Sequence, residues 1–145
     1  MKKPSPYLTF AGAIPFIACA LLLAIDSDTI LVLGKTTEVL SIYGLVIASF
    51  MAGAHWGNHL SLADNDRWAV KLPFLSNMIA LVLWFGFLIL STVSFIWLLA
   101  ASFASMWLID YGLNQARIIT QNYFKVRTYV TGIVIVSLIV AALQL

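Results

Sequence analysis

The run LPFLSNMIALVLWFGFLILSTVSFIWLLAASFASMWLI, residues 72–109, is apolar enough to lie in lipid but too long to cross a bilayer once. As one α-helix it would extend about 57 Å at about 1.5 Å per residue, nearly twice the roughly 30 Å of hydrocarbon in a bilayer. Near its middle lie the polar residues Ser91, Thr92 and Ser94. We therefore predict that the chain reverses within residues 91–94 and that the run forms two spanning helices.

The composition of the whole chain indicates the same environment. Of its 145 residues, 62% are hydrophobic and 10% are charged, whereas about 25% of the residues of a soluble domain are charged. We predict an all-α, polytopic transmembrane helix bundle that forms one domain over residues 1–145, with the lipid bilayer around it. The five predicted spanning helices cover residues 7–25, 39–57, 72–90, 95–111 and 129–145. No basic tract suited to nucleic acid occurs in the sequence.

The basic residues predict which way the bundle faces, because cytoplasmic loops carry an excess of Lys and Arg. With the amino terminus in the cytoplasm and the carboxyl terminus outside, seven of the eight basic residues fall on the cytoplasmic side and Lys35 falls on the other. The seven are Lys2, Lys3, Arg67, Lys71, Arg117, Lys125 and Arg127. We expect the last five of them to anchor the bundle at the cytoplasmic surface.

The segment GAHWGNH, residues 53–59, holds both histidines of the chain at the end of the second predicted helix. His55 lies about 24 Å along that helix, and Asp110 lies at nearly the same depth on the fourth. Ionisable groups inside a span are costly unless they are paired or wetted, so they commonly serve function. We predict a polar site for a proton or a ligand at His55 and Asp110; the alternative is that they only fix helix register. The expected supporting hydrogen-bond donors are Asn77, Tyr111 and Tyr129.

The second predicted helix carries two stripes of small residues, which let helices approach closely in lipid. The first stripe, on the face of His55, contains Gly44, Ala48 and Ala52, and the second contains Ser49, Gly53 and Gly57. Gly53 and Gly57 form a GxxxG pattern. We expect both stripes to pack against other helices and this helix to be the centre of the bundle.

Two other interpretations of these segments stay open at this stage. Met51, His55 and His59 are spaced by four residues and offer ligands for haem or copper, although ligands spread over two helical turns cannot all reach one ion, so no metal or cofactor is predicted. The first helix, with Cys19, also resembles a secretory signal. Its apolar run is long enough to span a bilayer, which favours a membrane helix.

Three segments carry a family resemblance: LTFAGAIPFIACALLL in the first predicted helix, YGLVIASFMAGAHWG in the second and YFKVRTYVT leading into the fifth. Together they resemble a small membrane-protein family of unknown function. Its animal members are called transmembrane protein 69, and its bacterial members are short five-helix proteins. The most specific part is the pattern Gly53, His55, Trp56 and Gly57. The resemblance implies a membrane location and no particular activity.

These observations lead to one functional hypothesis and two alternatives. The first is a small transporter, channel or ligand-binding protein of a bacterial inner membrane, with its polar site at the cytoplasmic end. The second is an assembly or scaffold subunit whose glycine stripes dock a larger membrane complex. The third is an intramembrane enzyme acting on lipid or quinone. A homo-oligomer is also compatible with the narrow bundle that five helices form.

Overall fold

The computed structural model describes residues 4–145, with side chains from residue 6 onward. Lys2 and Lys3, placed on the cytoplasmic side above, lie outside the described residues. The described chain is helical apart from a two-stranded antiparallel hairpin between the second and third helices. The elements are α1 (Pro4–Ala11), α2 (Ile14–Ala24), β1 (Thr29–Ile30), β2 (Gly34–Lys35), α3 (Thr36–Asn58), a short 3-10 helix (His59–Ser61), α4 (Arg67–Ile89), α5 (Thr92–Gln115) and α6 (Gln121–Leu143).

Five helical segments of the described chain are long and apolar enough to cross a membrane. The first combines α1 and α2 over Pro6–Ala24, and the other four contain α3, α4, α5 and α6. The expected all-helical set of five spans is therefore confirmed, and the chain has the character of a multi-pass membrane protein. The largest difference from the predicted bounds is at α6, which begins at Gln121 instead of residue 129.

The first span is broken between α1 and α2, at Gly12 and Ala13. Pro15 stands at the start of α2, where a residue without an amide proton is tolerated because no helical partner is needed there. The hydroxyl of Tyr43 on α3 donates a hydrogen bond of 2.8 Å to the carbonyl oxygen of Gly12. A carbonyl group at the break is therefore satisfied inside the bundle.

The reversal predicted from the polar residues 91–94 is present between α4 and α5. Helix α4 ends at Ile89 and α5 begins at Thr92. The hydroxyl of Ser91 accepts a hydrogen bond of 3.3 Å from the amide of Ser94. Ser91 is thus the N-cap of α5, because it satisfies one of the amide groups that the first turn of a helix leaves unpaired.

The helices form a closed ring in which α2, α3, α4, α5 and α6 each contact the next, and α6 contacts α2. Helices α3 and α5 also contact each other, so α4 lies outside that pair. The core of the ring is apolar, with Phe16, Leu40, Leu99, Phe103 and Leu138 all buried. Helix α5 buries the largest share of its residues, whereas α3, which was expected to be the centre, buries a smaller share.

Helices α3 and α5 end, and α4 and α6 begin, at one end of the bundle, which we call the His55 end. Helix α5 closes there with Arg117 in the left-handed region at φ 60°. The amide of Ile118 donates to the carbonyl oxygen of Leu113 at 2.9 Å, and that of Arg117 donates to Asn114 at 3.1 Å. This is the Schellman arrangement, and it turns the chain from α5 into α6.

Candidate functional site

His55 and Asp110 meet in the interior of the bundle. His55 lies in the last turn of α3, and Asp110 lies near the end of α5. Nε2 of His55 is 2.8 Å from Oδ1 of Asp110. The residues are only 2% and 1% exposed, respectively. The structure thus brings together the two residues for which a common polar site was predicted.

Arg127 on α6 completes the group. Its Nε and Nη2 atoms are each 3.0 Å from Oδ2 of Asp110, and the residue is 8% exposed. Its guanidinium carbon also lies 5.8 Å from the centre of the Tyr123 ring. Asp110 therefore places one carboxylate oxygen against His55 and the other against Arg127. We call His55, Asp110 and Arg127 the buried triad.

The triad forms where the buried stripes of three helices converge. Residues three or four positions apart share one face of a helix, and each triad residue continues such a stripe. The stripes are Gly44, Ala48, Ala52 and His55 on α3, then Phe103, Met106, Asp110 and Leu113 on α5, then Arg127, Thr131, Val134 and Leu138 on α6. Because the stripes are otherwise mostly apolar, the three ionisable side chains have one another as their polar neighbours.

The charges of the triad constrain the proton on the imidazole. Arginine stays charged in proteins, and a buried guanidinium needs an anionic partner, which Asp110 provides. An ionised carboxylate only accepts hydrogen bonds, so Nε2 of His55 carries the proton that is donated to Asp110. With a neutral imidazole the triad has no net charge. With a second proton on His55 it has a charge of about +1, by the same count of ionised groups.

The other nitrogen of the imidazole, Nδ1 of His55, has no hydrogen-bond partner. It is the only buried side-chain nitrogen or oxygen in the described part of the chain for which this is so. Buried polar groups are nearly always paired, and leaving one unpaired costs about 1–3 kcal/mol. Nδ1 is therefore a buried nitrogen whose hydrogen-bonding capacity no described residue uses.

A cavity of about 210 Å³ lies against the triad at Arg127. Helices α1 and α2 and the break between them form one wall, and α3, α5 and α6 form the others. Apart from Arg127 its lining includes Gly12, Phe16, Met51, Phe103 and Thr131. Most of this surface is apolar. Among the residues described, the guanidinium of Arg127 is the only charged group that lines the cavity.

The three expected supporting donors do not reach the triad. Tyr111 and Tyr129 are 46% and 66% exposed, and Asn77 is also exposed. Tyr111 follows Asp110 and Tyr129 lies two residues after Arg127, so helical geometry rotates both away by about 100–200°. On α4 it is Ser76 that is buried, and Asn77 is the next residue around the helix.

Of the two small-residue stripes on α3, only one packs within the chain. Gly44, Ala48 and Ala52 are buried, and a Cβ atom at Gly44 would lie 2.6 Å from Cδ1 of Leu99. Ser49, Gly53 and Gly57 are exposed, and a Cβ atom at Gly53 or Gly57 would meet no atom within 4 Å. The expected packing through the second stripe is therefore corrected, because Ser49 and Gly53 only border an open groove beside α4.

The basic residues expected as surface anchors fall into two groups. Arg67, Lys71, Arg117 and Lys125 are exposed at the His55 end. Arg127 is buried and belongs to the triad, so its assignment to the surface is corrected. The sequence placed it outside the membrane because α6 was expected to begin two residues after it.

The alternative ligand set of Met51, His55 and His59 is not gathered at one point. His59 belongs to the 3-10 helix after α3, where its Nδ1 donates to the carbonyl oxygen of Trp56. Met51 is partly buried and lines the cavity. The described residues contain no cluster of three or more His, Cys, Asp or Glu side chains suited to a metal ion. Cys19, which raised the question of a secretory signal, is buried in α2.

Comparison with known protein families gave one match. The model of a family described as "Protein of unknown function (DUF3429)" matches residues 1–143. The comparison with curated proteins gave no match, and neither did the comparison with solved structures.

Proposed function

The chain belongs to the protein family of unknown function DUF3429, and we propose that it is a small transporter or ligand-binding protein with the buried triad as its polar centre. One observation carries this proposal: Nδ1 of His55 is buried without a hydrogen-bond partner. The contacts of Asp110 with His55 and with Arg127 are both made. The location that we propose is a bacterial inner membrane. We also infer that the family extends to the animal proteins called transmembrane protein 69, on the resemblance of the pattern from Gly53 to Gly57.

A purely structural role explains Asp110 and Arg127 better than it explains His55. The pair already joins α5 to α6 and has no net charge. His55 adds a ring with an unpaired nitrogen to this interior, which costs about 1–3 kcal/mol. A side chain on α3 that donates to Oδ1 of Asp110 and has no second buried polar atom would avoid that cost. The imidazole is therefore better explained by what it can bind than by what it stabilises.

The charge of the triad suggests how binding and protonation are linked. A second proton on His55 gives the buried group a net positive charge, which an interior of low dielectric disfavours unless an anion binds at the same time. An anion that enters beside Arg127 restores neutrality. Proton uptake at His55 and anion binding at Arg127 thus favour each other. Asp110 lies between them and contacts both.

The direction of the chain across the membrane is part of the proposal. Four exposed basic residues and the triad occupy the His55 end, whereas Lys35 occupies the other end together with Asp26, Asp28 and Glu38. Because cytoplasmic surfaces carry the excess of Lys and Arg, we place the His55 end in the cytoplasm. The amino terminus is then cytoplasmic and the carboxyl terminus is outside.

Two measurements on one set of variants test the function. Native mass spectrometry of the purified chain reports bound small molecules, and liposomes loaded with a pH-sensitive dye report proton flux under an imposed gradient. We expect the unmodified chain and the control His59→Gln to retain the bound molecule or the flux, and His55→Gln to lose it. All variants must insert and elute as monodisperse species. If His55→Gln matches the unmodified chain in both measurements, the proposal is wrong.

A second candidate function, a subunit of a larger membrane complex, is favoured by the open face of α3. Ser49, Gly53 and Trp56 line a groove with Asn77 of α4. Asn77 lies near the middle of α4 and is exposed, and an amide facing hydrocarbon gains from a partner on another helix. Gly53→Leu should release a co-purifying protein, while Gly132→Leu, at an equally open position on α6, should not. Retention of every partner by Gly53→Leu would exclude this function.

A further inference from the structure

The cavity beside the triad has a polar edge and an apolar body. Arg127 and Thr131 of α6 form the polar edge, and both are buried. Phe16 of α2 and Phe103 of α5 belong to the apolar body and are also buried. This division matches a molecule that carries one polar head on a hydrocarbon chain.

The guanidinium has unused hydrogen-bonding capacity at this edge. Its Nε and Nη2 atoms contact Asp110, and no hydrogen bond among the described residues involves Nη1, which carries two N–H donors. Nη1 is also not among the fully buried side-chain atoms without a partner, and Arg127 lines the cavity. A charged donor at the edge of an apolar cavity favours an anionic acceptor.

The cavity also reaches the outer surface of the bundle. Leu8 of α1 and Phe50 of α3 line it, and they are 70% and 75% exposed. In a membrane these two side chains contact the acyl chains of the bilayer. A hydrocarbon chain whose head lies at Arg127 can therefore pass between α1 and α3 into the lipid.

We propose that the cavity binds a single-chain amphiphile with a carboxylate head. The carboxylate accepts hydrogen bonds from Nη1 of Arg127, and the hydrocarbon chain passes Leu8 and Phe50 into the lipid. The proposal rests on the proposed function and names the ligand class of the same site.

Size and charge select this class among lipid-like anions. A volume of about 210 Å³ is below the roughly 300 Å³ at which pockets for drug-sized ligands begin, so the cavity holds a small head and the first part of one hydrocarbon chain. A carboxylate carries one negative charge, which is what a triad with a protonated His55 needs for neutrality. A phosphate monoester carries about two charges near neutral pH and leaves an excess negative charge in the cavity.

Binding of radiolabelled dodecanoate to the full chain in lipid nanodiscs tests the proposal. Unlabelled dodecanol, which has no charge, and dodecyl phosphate serve as competitors. We expect dodecanol to compete at least tenfold more weakly than unlabelled dodecanoate, because it forms no charged pair with Arg127. Dodecyl phosphate should also compete more weakly. The proposal would be overturned if dodecanol competed as well as unlabelled dodecanoate, or if dodecyl phosphate competed better than dodecanoate. This test uses only the unmodified chain.

Two matched substitutions on α6 then locate the binding. Val130→Phe adds bulk to a side chain that lines the cavity and leaves the triad residues in place. Val136→Phe adds the same bulk at an exposed position outside the cavity. We expect Val130→Phe to weaken dodecanoate binding at least tenfold and Val136→Phe to leave it unchanged. Equal binding by both variants would place the amphiphile elsewhere and refute the proposal.

Failure here is distinguishable from failure of the proposed function. If dodecanoate does not bind, but His55→Gln still loses the bound molecule or the proton flux, the triad keeps its function and only the ligand class is wrong. If His55→Gln loses neither, the proposed function fails as well.

Discussion

Arg127 follows Asp110 by 17 positions in the chain, and its Nε atom lies 3.0 Å from Oδ2 of that aspartate. Both residues are more than nine-tenths buried. The short connection between Gln115 and Gln121 brings them together, because the reversal at Arg117 lays the first turns of α6 beside the last turns of α5. The ion pair is thus a contact between consecutive helices, and His55 is the member that comes from a distant one.

Substitutions of Asp110 and Arg127 are expected to have strongly coupled effects on the free energy of unfolding. Asp110→Asn leaves the buried guanidinium without its counter-charge, and Arg127→Gln leaves the carboxylate without its own. Each change should lower the free energy of unfolding in detergent by about 3–5 kcal/mol. The double variant should lose less than the sum of the two, because it leaves neither charge unpaired. Asp64→Asn, at an exposed position, is the control, and strictly additive losses would contradict the pairing.

The tautomer of His55 is a direct consequence of its contact with Asp110. In ¹⁵N NMR spectra of histidine-labelled protein near neutral pH, we expect the proton on Nε2 and a bare Nδ1, because an ionised carboxylate only accepts hydrogen bonds. His59→Gln removes the only other imidazole of the chain and so assigns the signal. A ring that carries its single proton on Nδ1 would contradict this arrangement.

The glycines of the bundle should differ sharply in their tolerance of a side chain. A Cβ atom at Gly112 would lie 2.7 Å from Cζ2 of Trp68, whereas a Cβ atom at Gly132 would meet no atom within 4 Å. Gly112→Val should therefore reduce the free energy of unfolding by about 1–3 kcal/mol through overpacking. Gly132→Val is the matched control on α6. Similar unfolding curves for the two variants would show that Trp68 can move aside freely.

The turn after α5 should gain stability from glycine at one position. Arg117 is exposed and has φ 60°, a conformation that costs roughly 1–2 kcal/mol for a residue with a Cβ atom. Arg117→Gly should therefore raise the free energy of unfolding by about 1 kcal/mol. Gln115→Gly, in the last helical position of α5, should lower it instead. A loss of stability in Arg117→Gly would mean that the arginine side chain makes a contact that outweighs the strain.

The proposed direction across the membrane can be measured by cysteine labelling. Cys19→Ala removes the only native thiol, and Lys35→Cys or Lys71→Cys then introduces one at either end of the bundle. A membrane-impermeant maleimide added to the periplasmic side should label the Lys35→Cys variant and not the Lys71→Cys variant. After the membrane is permeabilised, both should react. The reverse pattern would place the His55 end outside.

Sequence patterns identified the helices well, because each spanning helix must satisfy its own backbone hydrogen bonds in lipid and so needs a long apolar run. They also placed the reversal between α4 and α5 and selected His55 and Asp110. They did not place the start of α6, because Lys125 and Arg127 were assigned to the cytoplasmic surface. In the structure Arg127 begins the buried stripe that continues through Thr131, and that spacing of four residues was the available signal.

The rotation of each helix about its own axis was less predictable. Helical periodicity shows which residues share a face, but it does not show which face meets another helix. On α3, both the stripe of Gly44 and the stripe of Gly53 have the composition of a packing surface in lipid. Only the first is buried, because it faces Leu99 of α5. For the same reason the depth of Tyr111 and Tyr129 was no guide to their distance from the triad.

The order of the triad along the chain has a consequence for how the protein is made. Proteins are synthesised from the amino terminus, so the ribosome delivers the imidazole on α3 and the carboxylate on α5 before the guanidinium on α6 exists. Until the last helix is inserted, the nascent chain holds an aspartate in the membrane without its cation. Insertion of α6 is then the step that neutralises the interior, and a nascent chain halted before α6 keeps that carboxylate without its arginine.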